Sequence, residues 1–308
     1  MPASLPIGTR GSPLALWQAE HVRDRLADHH GPERGAASLS VISTSGDQIQ
    51  DKPLADFGGK GLFTKEIDEA LLRGDIALAV HSMKDLPTRL PEGLRLAAVL
   101  PRADVRDAFL SPVAASLAAL PAGAVVGTSS LRRAAQVKRA RPDLDVIDFR
   151  GNVQTRLRKL GDGVADATLL AKAGLDRLGL ADKATSVLAV DDMLPAVAQG
   201  AIGVVARCDD AETLTLLQPL NDAATEIAVT CERAFLAQLD GSCRTPIAGL
   251  ASVEGDTIRF RGLILSPDGA EWHEVEMSGP GTEAEAIGRK AGDDVRGRAG
   301  LAFLEMLS

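Results

Sequence analysis

The chain has 308 residues, 45% hydrophobic and 25% charged, which is typical of a globular protein of two or three domains. Its 34 basic and 42 acidic residues give a net charge of −8, which argues against general nucleic-acid binding. The N-terminus lacks the pattern of a signal peptide and no apolar stretch is long enough to span a bilayer, so we expect a cytoplasmic protein without membrane contact. The three cysteines form no C-x-x-C pair, so we expect neither a disulfide framework nor a cysteine-rich zinc site.

Short apolar runs alternate with helical patterns from Leu5 to Ala206. The predicted strands are 5–8, 39–43, 76–81, 124–127, 145–149, 167–170 and 202–206, and the predicted helices are 13–27, 60–73, 131–141, 153–160 and 173–178. This alternation predicts an α/β fold whose parallel sheets carry helices on both faces. Ligands of such sheets bind at the carboxyl ends of the strands.

The pattern changes after about Asn221. A long helix is predicted at 223–239, followed by strands at 247–253, 257–265 and 271–277 and by a final helix from about 283 to 307. Tight turns such as Glu254-Gly255-Asp256 join these strands, which indicates a three-stranded antiparallel sheet. We therefore expect a small α+β domain at the C-terminus.

Arginines stand where three of the predicted helices begin. Arg10 and Arg150 precede two of these helices, and Arg132 and Arg133 lie in the first turn of the third. Cations are disfavoured at a helix N-terminus unless an anion binds between them and the free N–H groups. The alternative is pairing with Asp or Glu on the surface. Because no P-loop is present, carboxylates are the favoured ligands. The predicted N-caps are Ser12, one serine of Ser129-Ser130, and Asn152.

Lys84 and Asp85 follow the predicted strand 76–81 and precede Pro87, which blocks a helix. They are therefore expected in a turn at a strand end, where catalytic groups of this architecture lie. The alternative is an Asx-turn with a solvated lysine.

The three cysteines differ in their surroundings. Cys231 shares a helical face with apolar residues and is expected in the core, and Cys208 ends an apolar strand and is expected to be structural as well. Cys243 lies in a predicted loop beside Arg244, which would favour its thiolate. An incidental loop thiol is the alternative.

Longer motifs follow one another along nearly the whole chain. They are TRGSPLALWQ (9–18), GGKGLF (58–63), HSMKD (81–85), GTSSLRR (127–133), RGNV (150–153), AGLDRLG (173–179), LPAVAQG (194–200) and finally Cys243. In this order they resemble the porphobilinogen deaminase family, also called hydroxymethylbilane synthases. The chain departs from many relatives at Asp56, where they have a lysine, and at Ser242, where they have glycine.

The resemblance implies two domains similar to periplasmic solute-binding proteins and a small cysteine-bearing domain. The expected boundaries are 1–100 with 200–218 for the first domain, 104–195 for the second and 222–308 for the third. The return of the chain to the first domain after Gly200 follows from the resemblance and not from the sequence pattern.

The resemblance also implies an enzyme, a transferase of tetrapyrrole and haem biosynthesis. It would deaminate and condense four porphobilinogen molecules into linear hydroxymethylbilane on a dipyrromethane cofactor, bound as a thioether to Cys243. Asp85 would stabilise positive charge on the pyrrole nitrogens and move protons. No metal is implied, and a monomer is expected.

Further residues are expected to bind the acetate and propionate groups of cofactor and substrate or to add hydrogen bonds. They are Arg10, Ser12, Gln18, Lys60, Ser82, Lys84, Thr128, Ser129, Arg132, Arg133, Arg150, Arg156, Arg177 and Gln199. The alternative from another class is a non-enzymatic anion-binding protein of the periplasmic type, which would explain the arginines but not Cys243 or Asp85.

Overall fold

The computed structural model describes residues 5–48, 63–239 and 245–306. In these ranges the chain forms two compact units, the first from residues 5–48, 63–103 and 201–226, and the second from residues 104–200, 227–239 and 245–306. None of the helices in the described ranges has both the length and the apolar character that a bilayer crossing requires. The division into three domains with the boundaries given above stays a prediction.

Strands and helices alternate along most of the chain. The strands are β1 (Leu5–Thr9), β2 (Ala37–Val41), β3 (Leu78–Ser82), β4 (Leu94–Val99), β5 (Asp107–Leu110), β6 (Val125–Gly127), β7 (Asp145–Ile147), β8 (Ala167–Ala171), β9 (Ser186–Val187), β10 (Ile202–Arg207), β11 (Ile247–Glu254), β12 (Thr257–Leu265) and β13 (Trp272–Pro280). The helices are α1 (Pro13–Arg34), α2 (Ser45–Gln48), α3 (Lys65–Arg73), α4 (Leu131–Ala140), α5 (Val153–Gly161), α6 (Lys172–Arg177), α7 (Ala211–Leu217), α8 (Ala223–Gln238) and α9 (Ala284–Met306).

The first unit is built on a five-stranded sheet of order β2-β1-β3-β10-β4. Strands β1, β2 and β3 are parallel, whereas β10 pairs antiparallel with both β3 and β4. Ile202 lies opposite Ser82, so β10 enters the sheet at the end where β3 leaves it and runs in the opposite direction. Its core packs Val22 and Leu26 of α1 against the sheet, to which β10 contributes Val204.

The second unit contains a five-stranded sheet of order β7-β6-β8-β5-β9. Strand β6 is parallel to β7 and β8, but β5 is antiparallel to β8 and β9. The expectation of parallel sheets therefore does not hold at β5 and β10, which run antiparallel to their neighbours. Asp107, the first residue of β5, pairs with Ala171, the last of β8, and strands paired in this direction need no crossover helix between them.

The second unit also contains the predicted antiparallel sheet, β11-β12-β13, which packs against α8 and α9. Phe235 of α8 and Phe260 of β12 lie in its core with ring centroids 4.9 Å apart. Gly269, with φ of 70°, lies in the turn before β13, where an added Cβ would approach the carbonyl oxygen of Ala135 to 2.4 Å. This turn therefore packs directly against α4. The predicted α/β fold class and the C-terminal sheet are confirmed.

The predicted starts of the three helices with arginines at or before their first turn, α1, α4 and α5, are also confirmed. Ser12 Oγ accepts a hydrogen bond from the N–H of Ala15 at 3.3 Å, and Pro13 is the first residue of α1. The side chain of Ser130 accepts from the N–H of Arg133, and that of Asn152 accepts from the N–H of Thr155. These caps fix the point at which each helix leaves the carboxyl end of its strand.

Candidate active site

Asp85 and Lys84 lie on a 3₁₀ turn, Met83–Asp85, that directly follows β3. The N–H of Leu86 donates to the carbonyl of Met83 at 3.2 Å, and Pro87 prevents the turn from continuing as a helix. The predicted turn at a strand end is therefore confirmed. Both side chains belong to half-buried residues.

Asp85 lines a pocket of about 60 Å³ that lies entirely within the first unit. Its lining residues are Arg10, Ser12, Leu14, Ala15, Gln18, Phe63, Val80, His81, Ser82 and Asp85. Five of the residues predicted from the sequence meet here, namely Arg10, Ser12, Gln18, Ser82 and Asp85. The β1–α1 junction and the end of β3 supply most of the wall, as expected for neighbouring parallel strands.

Contacts inside the pocket hold its polar walls in place. The Gln18 side-chain amide donates to Ser82 Oγ at 2.8 Å and so joins α1 to the end of β3. The Arg10 guanidinium carbon lies 4.3 Å from the ring centroid of Phe63, which is a cation–π contact. A cation held against an aromatic ring and the Asp85 carboxylate thus line the same small pocket.

His81 was not predicted as a functional residue, although it lines this pocket and is buried. Within the ranges that the structure describes, its Nε2 has no hydrogen-bond partner. Burial lowers the pKa of His81 to about 4, and the positive charge of Arg10 adds to this effect. The imidazole is therefore neutral at physiological pH. A histidine next to the carboxyl end of a strand is the sequence signal that could have marked it.

Arg132 and Arg133 lie in the second unit, in the first turn of α4, and both are buried. An Nη2 of each donates to Asp107, Arg132 to Oδ2 and Arg133 to Oδ1, both at 2.7 Å. Their cationic charge is thus met by a carboxylate inside the protein, and not by a surface acid as the alternative would have it. Their role towards ligand carboxylates stays a prediction.

Gln199 and Arg177 complete this region of the second unit. The Gln199 amide donates to Asp107 Oδ1 at 2.9 Å and to the carbonyl of Val105 at 2.8 Å. An Nη2 of Arg177 donates to the carbonyl of Gly200 at 2.7 Å. Burial lowers the pKa of Arg177 to about 10, against the opposing effect of Asp176, so the guanidinium stays charged at neutral pH.

The remaining predicted residues of the second unit lie around the starts of α4 and α5. Thr128 Oγ1 accepts from the N–H of Ser130 at 3.2 Å, and Ser129 Oγ accepts from the N–H of Phe149 at 3.1 Å. Arg150 is half-buried and its carbonyl accepts from Lys159 Nζ at 3.1 Å. Arg156 is a half-buried residue of α5.

Two predicted residues, Lys60 and Cys243, lie outside the described residues. Of the other cysteines, Cys231 is buried in the core of the C-terminal sheet, as predicted. Burial raises the pKa of the Cys231 thiol to about 12. Cys208 is exposed, which corrects the expectation of a structural thiol, because the buried part of β10 ends at Ala206.

The model of the porphobilinogen deaminase, dipyrromethane cofactor-binding domain, matches residues 5–215, and that of the porphobilinogen deaminase C-terminal domain matches residues 226–297. The porphobilinogen deaminase of Nitrobacter winogradskyi is 59% identical over 98% of this chain and 96% of its own. That of Paracoccus denitrificans is 56% identical over 97% of this chain and 96% of its own. A periplasmic substrate-binding protein from Coxiella burnetii is similar with TM-score 0.43 and 15% identity, over 72% of this chain and 94% of that chain.

The chain belongs to the porphobilinogen deaminase family. It is therefore a transferase with a dipyrromethane cofactor, which decides against the non-enzymatic anion-binding alternative. Two buried guanidinium nitrogens, Nε of Arg132 and Nε of Arg133, have no hydrogen-bond partner in the described part of the chain. Unpartnered cationic donors of this kind suit a cofactor that carries carboxylates, so the residues present fit it.

Proposed function

We propose that Asp85 is the catalytic carboxylate of this protein and that Cys243 is the attachment point of its dipyrromethane. The protein is a transferase of tetrapyrrole biosynthesis. It deaminates four porphobilinogen molecules and condenses them head-to-tail, and it releases linear hydroxymethylbilane and ammonia. The observation that carries the assignment of Asp85 is its position on the turn after β3, in a pocket that also contains Arg10.

The chemistry explains why a carboxylate is needed at this position. Loss of ammonia from porphobilinogen and bond formation to a pyrrole carbon both place positive charge on a pyrrole nitrogen. A negative charge held beside that nitrogen stabilises the charge as it develops. The same oxygen can accept a proton and return it to the leaving amine. The 3₁₀ turn fixes the backbone from which the Asp85 side chain projects.

The cations would bind the acetate and propionate groups. In the first unit these are Arg10 and Lys84, together with Lys60, and in the second unit Arg132, Arg133, Arg150, Arg156 and Arg177. Ser12, Gln18, Ser82, Thr128, Ser129 and Gln199 would add hydrogen bonds or hold these cations in place. The dipyrromethane, when bound, supplies the pyrrole carbon from which the chain is extended.

Asp85→Asn tests this proposal because it keeps the shape of the side chain and removes its charge. We expect a folded protein whose turnover falls by at least about a hundredfold. The measurement is single-turnover consumption of porphobilinogen by variants whose cofactor occupancy has been matched by mass. Asp85→Glu is the control and should keep part of the activity. Near-normal turnover of Asp85→Asn would show that the catalytic role belongs to another group.

The cytoplasmic location and the monomeric state are further proposals about this protein. Fractionation of cells followed by immunoblotting tests the first, and sedimentation equilibrium tests the second. Antigen outside the cytoplasmic fraction, or a mass of two chains at working concentration, would contradict the respective proposal.

A further inference from the structure

We propose that Asp107 is a positioning residue that sets the orientation of both Arg132 and Arg133 for binding ligand carboxylates. Asp107 is completely buried and begins β5. Each of its two oxygens accepts from a different arginine at 2.7 Å, so one carboxylate holds both guanidinium groups. This inference rests on the proposed function of the two arginines and names the group that holds them.

Each arginine is also held at a second point. An Nη1 of Arg132 donates to the carbonyl of Leu194 at 2.8 Å, and an Nη1 of Arg133 donates to the carbonyl of Leu169 at 3.0 Å. Two contacts of a planar guanidinium fix both its position and its plane. Nε of each group is buried, and among the described residues it has no hydrogen-bond partner.

The charges around Asp107 do not balance. Two guanidinium groups face one carboxylate, and among the described residues no other acid lies within ion-pair distance of Arg132 or Arg133. Burial would raise the pKa of Asp107, but Arg132 and Arg133 outweigh it and hold that pKa well below its usual range. The cluster therefore carries a net charge of +1 at the N-terminus of α4, whose dipole adds further positive potential.

A purely structural ion pair would not need this excess. Buried charges are costly, and a balanced pair or an apolar set of the same volume stabilises a fold at least as well. A buried excess cation with free donors is instead suited to an anion that arrives from outside. Asp107 cancels one of the two charges and leaves the other available.

The segment 194–199, which contacts Asp107 and Arg132, is also held by hydrogen bonds. Gln199 donates to Asp107, and two residues of this segment, Leu194 and Ala198, have backbone contacts to buried side chains. Ala198 adopts φ of 59°, a strained conformation for alanine, and its N–H donates to the buried carboxylate of Glu232 at 2.5 Å. Strain of this kind persists where the surroundings determine the backbone closely, as at binding sites.

Asp107→Asn tests the proposal, since it keeps the shape and removes the charge that orients the arginines. The first readout is the porphobilinogen concentration that half-loads the apoprotein with its covalent adduct, measured by intact mass. The second is KM for porphobilinogen, measured on loaded protein. We expect both to rise by about tenfold or more, with a smaller change in kcat. Asp107→Glu, which keeps the charge but shifts it, should give an intermediate rise.

Asp210→Asn provides the matched control. Asp210 pairs with Arg207 at 3.1 Å and caps α7, both in the first unit, so its loss should lower the melting temperature without a change in KM. If Asp107→Asn behaves in the same way, with KM and half-loading unchanged, the proposal is overturned. If Asp107→Asn fails to fold, Asp107→Glu becomes the deciding variant, and wild-type values of KM and half-loading for it overturn the proposal.

A double variant separates positioning from independent effects. If Asp107 acts through Arg132, Asp107→Asn should raise KM by a smaller factor in an Arg132→Leu background than in the wild type. Full multiplication of the two effects on KM would contradict the proposal. Failure of the proposed role of the arginines would look different, because Arg132→Leu alone would then leave KM and half-loading at their wild-type values.

Discussion

Replacing His81 with glutamine should flatten the dependence of stability on pH. In the folded protein the pKa of His81 is about 4, first because the imidazole is buried and second because Arg10 is near, whereas its ordinary value is 6.5. Between these two values the unfolded chain binds a proton that the folded chain does not. The free energy of unfolding therefore falls as the pH is lowered from 6.5 to 4, and below pH 4 this contribution changes no further.

The size of the effect follows from the two pKa values. A difference of about 2.5 corresponds to about 3 kcal/mol, at about 1.4 kcal/mol for each pKa unit. His81→Gln removes the titrating group and keeps a polar side chain, so the variant should not lose this part of its stability on acidification. Carboxylates that titrate in the same range are common to both proteins and cancel in the comparison.

Urea unfolding followed by circular dichroism at several pH values from 7 to 4 measures this difference. The proteins should be compared at matched cofactor occupancy, because a bound cofactor also stabilises the fold. His29→Gln, at an exposed position of α1, is the control and should follow the wild type at every pH. If the free energy of unfolding falls by the same amount in wild type and His81→Gln over this range, the interpretation of His81 as a buried, neutral imidazole is refuted.

Three further outcomes are expected. Arg150→Leu should raise KM for porphobilinogen by about tenfold or more, because a ligand carboxylate would lose its partner. Arg139→Leu should leave KM unchanged, and similar effects of the two substitutions on KM would contradict the anion-site argument. Because exposed Arg139 lies 4.2 Å from the ring centroid of Trp272 as a cation–π partner, its replacement should lower the free energy of unfolding by about 1 kcal/mol at most. Iodoacetamide should alkylate exposed Cys208 in the native protein and spare buried Cys231, whose pKa is about 12, and mass mapping that found Cys231 labelled without unfolding would contradict this placement.

Elements with local signals could be predicted from the sequence. Helix α4 and strand β12 agree with their predicted bounds to within a residue, because caps, turn residues and periodicity all lie within the elements themselves. The C-terminal sheet pairs each strand with the next one along the chain, so its hairpins were also visible.

Strands β4, β5 and β9 and helix α7 were not predicted. Strand β5 has only four residues and β9 only two, which is too short for a periodic pattern. Strand β4 pairs with β10, more than a hundred residues later in the chain, and no local feature announces that partner. The antiparallel direction of β10 depends on the same distant pairing, and that of β5 depends on its pairing with β8, which follows two helices later.

The charged residues of the site could be predicted from the sequence, but the residues that pair with them could not. The unusual position of Arg132 and Arg133 was visible as a departure from helix electrostatics. Their partner Asp107 was not, because it lies 25 residues before Arg132 and looks like an ordinary acid at the start of a short apolar run. The burial of His81 likewise arises from elements that only the folded chain brings together.

The assignment of Cys243 is decided by the intact mass of the purified protein, followed by peptide mapping. We predict a mass that exceeds the sequence mass by one dipyrrole, with the addition on the peptide that contains Cys243 and none on the peptides of Cys208 and Cys231. Active protein in which Cys243 is unmodified, or in which the addition lies on another cysteine, would contradict the attachment of the cofactor proposed here.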